Sequence, residues 1–243
     1  MPLAEEMIAQ GTWLFRWRSY LPLALMTPVV LSWFADSPQD QSRIHLQLVG
    51  GALAFAGLAM RVLVVAHVPR RTSGRHTRRQ VAVKLNTDGL YSLVRHPLYV
   101  GNALVWVGAA VFASSWGVAA AVLLAYALYY ERVALAEEHF LRGAFGAAYE
   151  SWAARTPAFL PRTWRWRPPA LPFSPRRVLA KESGTLCAIV VGLALLGAAR
   201  DFIVTGRIAV HAAWWLAASS TFLLFVAARW LRWHTSVLAV TDR

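Results

Sequence analysis

The run Arg95-His96-Pro97-Leu98-Tyr99-Val100-Gly101 stands at the start of a long apolar stretch and carries the side chains best suited to chemistry. Pro97 predicts a helix start there, because a first-turn residue has no intrahelical partner for its N–H, and we expect the neighbouring amides to lie open. His96 and Tyr99 are three residues apart and would share one helix face, while Gly101 permits close approach of a backbone or ligand. We interpret this heptad as half of a cofactor site; a membrane-interface anchor is the simpler alternative.

Two adjacent carboxylates, Glu137 and Glu138, follow the next apolar run. Only Ser114-Ser115-Trp116-Gly117 separates that run from the heptad's own, so the two are expected to form a tight antiparallel helical hairpin. The hairpin would bring heptad and carboxylates to one face of the membrane. Acidic residues at a helix end are commonly solvated caps, and it is the hairpin that favours a functional role here.

The composition indicates an integral membrane protein, with 57% hydrophobic residues, 12 tryptophans and a mean hydropathy of +0.42. A spanning helix needs about 17 to 25 apolar residues, and the chain has six candidate runs, of which the first and the fifth are short. We therefore expect an all-α, polytopic protein of about six transmembrane helices with a cofactor pocket on the cytoplasmic side. The runs are Tyr20–Ala35, Ile44–Val68, Leu98–Ser114, Trp116–Ala136, Thr185–Ala199 and Ile208–Ala228.

The net charge of +13 is unevenly distributed along the chain. Most Lys and Arg residues fall in the segments Pro69–Pro97 and Glu131–Gly184, whereas the opposite connections hold only Arg43, Arg200 and Arg207. By the positive-inside rule, both termini and both basic segments should be cytoplasmic, as in a multi-pass protein of a bacterial inner membrane. This pattern argues against a nucleic-acid partner. It suits anionic lipid headgroups, at about 1 kcal/mol per basic residue near the surface.

Several other kinds of chemistry are disfavoured by residue spacing. The seven histidines include no pair at metal-ligand spacing, and no serine or cysteine lies in a nucleophile-elbow motif. The single cysteine, Cys187, lies in an apolar run and is expected to pack there. Arg61 is unusual inside the second run, where it would either snorkel to the surface or line a polar cavity.

The run Leu85-Asn86-Thr87-Asp88-Gly89-Leu90-Tyr91-Ser92-Leu93-Val94 leading into the heptad, then Glu137-Glu138, then Phe145-Gly146-x-x-Tyr149, resembles a family of membrane methyltransferases. This family includes isoprenylcysteine carboxyl methyltransferase and the phospholipid N-methyltransferases. The resemblance covers residues 76–162. It implies that S-adenosylmethionine binds between these helices on the cytoplasmic side and that a lipid or lipidated substrate enters from the bilayer.

The resemblance also implies a set of site residues. Arg132 and Glu137 are the candidate catalytic residues, although prenylcysteine methyltransferases carry their substrate arginine where this chain has Val133. The methyl acceptor therefore stays open among a prenylcysteine carboxylate, a phospholipid amine and a lipid phosphate. The implied cofactor-binding residues are Val83, Lys84, Leu85, Asn86, Tyr91, His96, Pro97, Leu98, Tyr99, Glu137 and Glu138.

The chain divides into N-terminal transmembrane helices (1–75), a methyltransferase core (76–162), a cytoplasmic surface connector (163–184) and a C-terminal transmembrane pair (185–243). Two other functions remain open. Membrane sterol reductases share an Arg-His-Pro-x-Tyr-x-Gly heptad and bind NADPH, and a scaffold without catalytic activity is the third reading. Nothing in the sequence indicates an oligomeric state.

Overall fold

The computed structural model describes residues 2–18, 20–36, 43–69, 82–162, 165–208 and 211–239. Every regular element in these ranges is helical, which confirms the all-α membrane class. By length and composition, α3, α5, α7 and α8 can cross a membrane, while α4 and the stretch Leu21–Trp33 are apolar but shorter. The helices are α1 (Leu3–Trp17), α2 (Thr27–Trp33), α3 (Ile44–His67), α4 (Pro97–Ala113), α5 (Trp116–Phe145), α6 (Ala147–Ala153), α7 (Pro175–Thr205) and α8 (Ala212–His234).

The first apolar run is broken into two short pieces, a 3₁₀ helix (Leu21–Met26) and then α2. Each piece has a proline in its first turn, where the missing N–H costs nothing. At its far end α2 is tied to the hairpin turn. The indole Nε1 of Trp33 donates to the Ala113 carbonyl at 2.8 Å, and the hydroxyls of Ser32 and Ser114 are 2.6 Å apart.

Helices α3 and α4 pack through glycines that recur every seven residues on both. A Cβ atom at Gly57 would clash with the carbonyl of Gly101, and one at Gly50 would clash with that of Gly108. Close contact between small residues is how helices associate in lipid, where the hydrophobic effect does not drive them together. The close approach predicted at Gly101 is therefore made by α3 and not by a ligand.

The predicted hairpin is confirmed, since only Ser114 and Ser115 separate α4 from α5. The Ser115 hydroxyl caps α5 by accepting a hydrogen bond from Val118 N at 3.4 Å. Helix α5 has 30 residues and α4 only 17, so α5 continues beyond the level at which α4 begins. The additional turns of α5 carry Glu137 and Glu138.

Helix α7 begins at Pro175, earlier than the predicted fifth run, so the connector proposed for 163–184 ends at Ser174. The sequence hides this start because Arg177 and Glu182 interrupt the apolar run, yet both are buried. The Arg177 guanidinium donates to the Pro69 carbonyl at 2.7 Å, which docks the start of α7 on the end of α3.

Arg61 is paired between the helices, and its side chain is 14% exposed. Its guanidinium forms two hydrogen bonds of 2.9 Å to the Glu182 carboxylate and donates to Asn102 Oδ1 at 2.5 Å. The Glu182 side chain is only 3% exposed. A charge inside the membrane is tolerated when it is paired, and this pair joins α3, α4 and α7.

A second charged cluster lies at the hairpin-turn end of the helices. The Asp36 carboxylate accepts hydrogen bonds from Arg43 at 3.0 Å and from Arg200 at 3.0 and 2.9 Å. Arg43 also donates to the carbonyl of Ser114. Two of the three basic residues assigned to the non-cytoplasmic side, Arg43 and Arg200, thus have their charge offset by Asp36. The basic loop at 70–79 lies outside the described residues.

Replacing Glu182 with glutamine should destabilise the protein by about 3 kcal/mol, because it leaves the buried Arg61 charge uncompensated. Thermal unfolding in detergent measures this, and the double variant Arg61→Met/Glu182→Leu should recover much of the loss. Glu150→Gln is the matched control, since the Glu150–Arg142 pair has both side chains 57% exposed. Equal unfolding midpoints for Glu182→Gln and Glu150→Gln would contradict a structural role for the buried pair.

The predicted orientation can be tested by cysteine labelling in a Cys187→Ala background. Thr205 and Ala154 are both exposed and lie on opposite sides of the proposed membrane. In intact cells, a membrane-impermeant maleimide should label a cysteine at Thr205 and should reach one at Ala154 only after permeabilisation. The reverse pattern would place the termini outside.

Candidate active site

The residues leading into α4 are held by the segment that follows α6. The amide of Arg95 donates to the Pro157 carbonyl at 2.8 Å, and the amide of His96 donates to the Ala158 carbonyl at 3.0 Å. The expected open amides are partly occupied, since the amide of Tyr99 donates to the His96 carbonyl at 3.1 Å. Side chains, rather than the helix terminus, therefore provide the chemistry of this site.

The hairpin brings the heptad side chains and the paired carboxylates together, and the two carboxylates have different partners. Glu138 is 2.9 Å from His96 Nε2 and 3.0 Å from Arg95 Nε, and its side chain is 16% exposed. Glu137 accepts a hydrogen bond of 2.5 Å from the Tyr99 hydroxyl and lies 3.7 Å from His96 Nδ1. Its side chain is 34% exposed. Glu138 is thus neutralised by cations, whereas Glu137 keeps the capacity to bind a cationic ligand.

His96 lies between the two carboxylates, with one ring nitrogen facing each. Burial alone would lower the pKa of His96, but the hydrogen bonds and charges of Glu137 and Glu138 outweigh burial and raise this pKa above its usual value. A protonated imidazole can donate from both nitrogens. His96 therefore holds the two carboxylates in place and is not free to donate to a cofactor carboxylate.

Aromatic rings surround this charged group. The His96 and Tyr99 rings stack with centroids 5.3 Å apart, and Phe159 lies 5.5 Å from His96 on the segment after α6. The Tyr130 ring is 4.8 Å from Tyr99 and 4.2 Å from Tyr126, whose hydroxyl donates to the Tyr99 carbonyl at 2.7 Å. Such rings offer faces to which a cation is attracted.

The loop before the heptad contributes Tyr91 and Asn86. Burial raises the pKa of the Tyr91 hydroxyl, and the charge of Glu137 raises it further, while the Asn86 side chain lies within hydrogen-bonding reach. These two predicted residues therefore join the Glu137 group. Val83 and Lys84 are exposed in an irregular segment, and Leu85 is half-buried.

The chain turns at Asp88 and Gly89, and Gly89 has φ +57°, a conformation that suits glycine. The Asp88 carboxylate accepts a hydrogen bond from the distant Ala170 amide at 3.1 Å. The Gly89 amide donates to the Arg167 carbonyl at 3.0 Å. The connector after α6 thus fastens the loop that leads into the site.

The remaining predicted residues are placed as follows. Pro97 is fully buried in the first turn of α4, and Leu98 beside it is half-buried. The Arg132 guanidinium donates to Gln10 Oε1 at 3.0 Å and to the Leu128 carbonyl at 2.8 Å, so it is engaged with α1 and its own helix. In the described residues, no recorded hydrogen bond or ion pair connects Arg132 to Glu137.

Two aromatic residues of the site, Tyr130 and Phe159, were missed by the sequence interpretation. Tyr130 is seven residues before Glu137, a spacing that places both on one helix face and could have revealed it. Phe159 reaches His96 only because the segment after α6 folds back over the heptad, and no local pattern indicates that return.

A family model described as phospholipid methyltransferase matches residues 46–148. This range includes most of α3 and all of α4 and α5, and with them His96, Tyr99 and Glu137. Residues 46–148 are therefore similar to this membrane methyltransferase family. The resemblance noted in the sequence is thereby confirmed, while α1, α7 and α8 lie outside the matched range.

Three curated relatives also match parts of the chain. The cobalt-zinc-cadmium resistance protein CzcN of Cupriavidus metallidurans is 46% identical over 83 residues, 34% of this chain and 38% of that protein. The nickel-cobalt-cadmium resistance protein NccN of Alcaligenes xylosoxydans xylosoxydans is 37% identical over 109 residues, 45% of this chain and 51% of the relative. Protein-S-isoprenylcysteine O-methyltransferase B of Arabidopsis thaliana is 36% identical over 85 residues, 35% of this chain and 43% of that protein.

The chain thus spans about half or less of the length of each of these relatives. No solved structure matches the chain significantly. Among the residues that the structure describes, no three His, Cys, Asp or Glu side chains form a group able to hold a metal ion.

The raised pKa of His96 predicts a pH-dependent stability. Because the folded-state pKa exceeds the unfolded value of about 6.5, the stabilising contribution is complete below that pH and is lost as pH rises through the folded-state pKa. As the pH rises above about 6.5, the unfolding midpoint of the wild type should therefore fall more steeply than that of His96→Gln. His139→Gln, at an exposed site, should follow the wild type. Parallel curves for all three proteins would contradict the bridging role of His96.

Proposed function

We propose that this chain is an S-adenosylmethionine-dependent membrane methyltransferase that acts on a lipid or lipidated acceptor. The observation that carries the proposal is Glu137. It lies inside the methyltransferase family segment, is oriented by the Tyr99 hydroxyl, and remains one-third exposed beside aromatic rings. This arrangement suits a ligand with positive charge and a flat aromatic part.

The site residues fit the chemical groups of this cofactor. Its ammonium and sulfonium groups favour a carboxylate and aromatic faces, which Glu137, Tyr99 and Tyr130 provide. His96 and Arg95 keep Glu138 charge-compensated, which reduces like-charge repulsion next to Glu137. Tyr91 and Asn86 lie close enough to contribute further polar contacts.

The bound cofactor supplies an activated methyl group, and the transfer is a displacement that needs the acceptor atom in line with that methyl. The chain's contribution is to orient both reactants and to exclude water, which can supply much of the rate enhancement. Phe159 and the segment after α6 cover His96, and the Tyr126–Tyr130 stack closes the side towards α5. Arg132, held by Gln10, has no assigned part in this scheme.

The two carboxylates provide an internal comparison for testing the proposal. Glu137→Gln keeps the side-chain shape, removes the charge, and should weaken cofactor binding by more than about tenfold with a small change in stability. Glu138→Gln should instead lower the unfolding midpoint, because His96 and Arg95 lose their shared counter-ion. Calorimetry with S-adenosylmethionine and methyl transfer to total membrane lipid measure the first effect. Equal affinities in both variants would show that the cofactor does not use Glu137.

Titration with NADPH in the same buffer distinguishes the reductase alternative, and binding of neither ligand favours a scaffold.

Two of the relatives are named for resistance to divalent metals. We therefore suggest a growth assay to accompany the binding assay. It compares a gene-deletion strain on zinc, cobalt and cadmium after complementation with the wild type or with Glu137→Gln.

A further inference from the structure

Helix α1 lies outside the family-matched range, yet it packs directly against the site-bearing end of α5. A Cβ atom at Gly11 would clash with the Arg132 carbonyl, so the two backbones touch there. The Tyr129 hydroxyl donates to the Leu14 carbonyl at 2.9 Å. These contacts align α1 antiparallel to α5 and bring the end of α1 to the membrane face of the site.

The helical period of α1 sorts its two C-terminal arginines onto different faces. Gly11 and Phe15 are buried against α5, and Arg18 is half-buried on the same face because it follows at the i+7 position. Arg16 is exposed and lies on the opposite side. The sequence shows a mixed aromatic and basic segment, and only the packing separates the arginine that faces the site from the one that does not.

The guanidinium of Arg18 is carried back over the Phe15 ring, with its central carbon 3.7 Å from the ring centroid. Phe15 in turn packs with Tyr130, and Tyr99 borders the same apolar cluster. From this position the Arg18 charge acts electrostatically on Tyr99, Tyr130 and Glu137. Arg18 is thus the cation of α1 that lies over the aromatic cluster bordering Tyr99 and Tyr130.

The outer face of α1 carries a row of exposed aromatic rings. Trp13, Trp17 and Tyr20 are 54%, 48% and 67% exposed, and their rings follow one another at centroid distances of 6.4 and 6.5 Å. Exposed tryptophan and tyrosine are characteristic of the headgroup region of a bilayer. Arg18 therefore lies where the headgroup of a lipid acceptor would meet the site.

We propose that Arg18 binds the anionic group of the acceptor headgroup, a phosphate or a carboxylate, and thereby selects and orients acceptors. The inference rests on the proposed methyltransferase function. A guanidinium binds these planar or tetrahedral anions through paired hydrogen bonds. An acceptor anion would otherwise be repelled by the Glu137 carboxylate, and Arg18 supplies a compensating positive charge. Because α1 lies outside the family segment, this selectivity belongs to this chain's own N-terminal helix.

The test compares Arg18→Gln, Arg18→Lys and the matched control Arg16→Gln in proteoliposomes that contain a lipid extract of the host membrane. Arg18→Gln should raise the KM for the extract by about tenfold or more, since a charged hydrogen-bond partner is lost, with kcat and S-adenosylmethionine affinity little changed. Arg18→Lys should restore part of the KM because it keeps the charge. Arg16→Gln should behave as the wild type.

Each other outcome has a defined meaning. An equal rise of KM in Arg18→Gln and Arg16→Gln would show an effect of general surface charge and would overturn the proposal. An unchanged KM in Arg18→Gln would overturn it as well. Neither result would contradict the proposed methyltransferase function. Loss of cofactor affinity in both Arg18 variants would assign Arg18 to folding or to the cofactor and would also overturn it. A wild type that neither binds the cofactor nor transfers methyl would reject the proposed function itself.

Defined acceptors then separate the two sources of anion. Phosphatidylcholine vesicles carrying phosphatidic acid or phosphatidylethanolamine present a phosphate, and vesicles carrying farnesylcysteine present a carboxylate. The acceptor class is the one that the wild type methylates and for which Arg18→Gln raises the KM.

Discussion

The two-residue turn at Ser114 and Ser115 is the constraint on which the site depends. It forces α4 and α5 to run antiparallel, so the start of the 17-residue α4 lies beside the middle of the 30-residue α5. The last turns of α5 then extend past Pro97 and carry Glu137 and Glu138 above the heptad. The segment after α6 can cover them because it pairs with the amides of Arg95 and His96. A longer connection would leave the relative height of these groups undetermined.

Charge compensation inside an apolar structure decides the role of each ionic residue. Glu182 offsets Arg61 between the helices, Asp36 offsets Arg43 and Arg200 at the turn end, and Arg95 with His96 offsets Glu138. An uncompensated charge would cost several kcal/mol in such surroundings, roughly the effect of breaking a buried pair. Glu137 differs from these, since its hydrogen bond comes from the neutral Tyr99 hydroxyl and its contact to His96 is longer, at 3.7 Å. This difference is the physical basis for assigning ligand binding to Glu137.

Residues 46–148 and the helices that flank them contribute different groups to the structure. Residues 46–148 supply the hairpin, the heptad and the carboxylates. Outside this segment, α7 contributes Glu182, which pairs with Arg61, and α1 places Arg18 over the Phe15 ring. The flanking helices therefore contribute charged groups that residues 46–148 by themselves do not contain.

The sequence by itself determined the all-α membrane class, the hairpin, and the meeting of His96 and Tyr99 with Glu137, because apolar length, the short turn and helical periodicity are local properties. Only the tertiary structure decided that Glu138 pairs with Arg95 and His96 while Glu137 bonds to Tyr99, since adjacent glutamates are equivalent in sequence and differ only in their partners. It also decided that Arg61 pairs with Glu182, that α7 begins at Pro175, and that Arg18 rather than Arg16 lies on the buried face of α1. Each of these depends on a contact between residues far apart in the chain, and no local pattern encodes which distant group will compensate a charge.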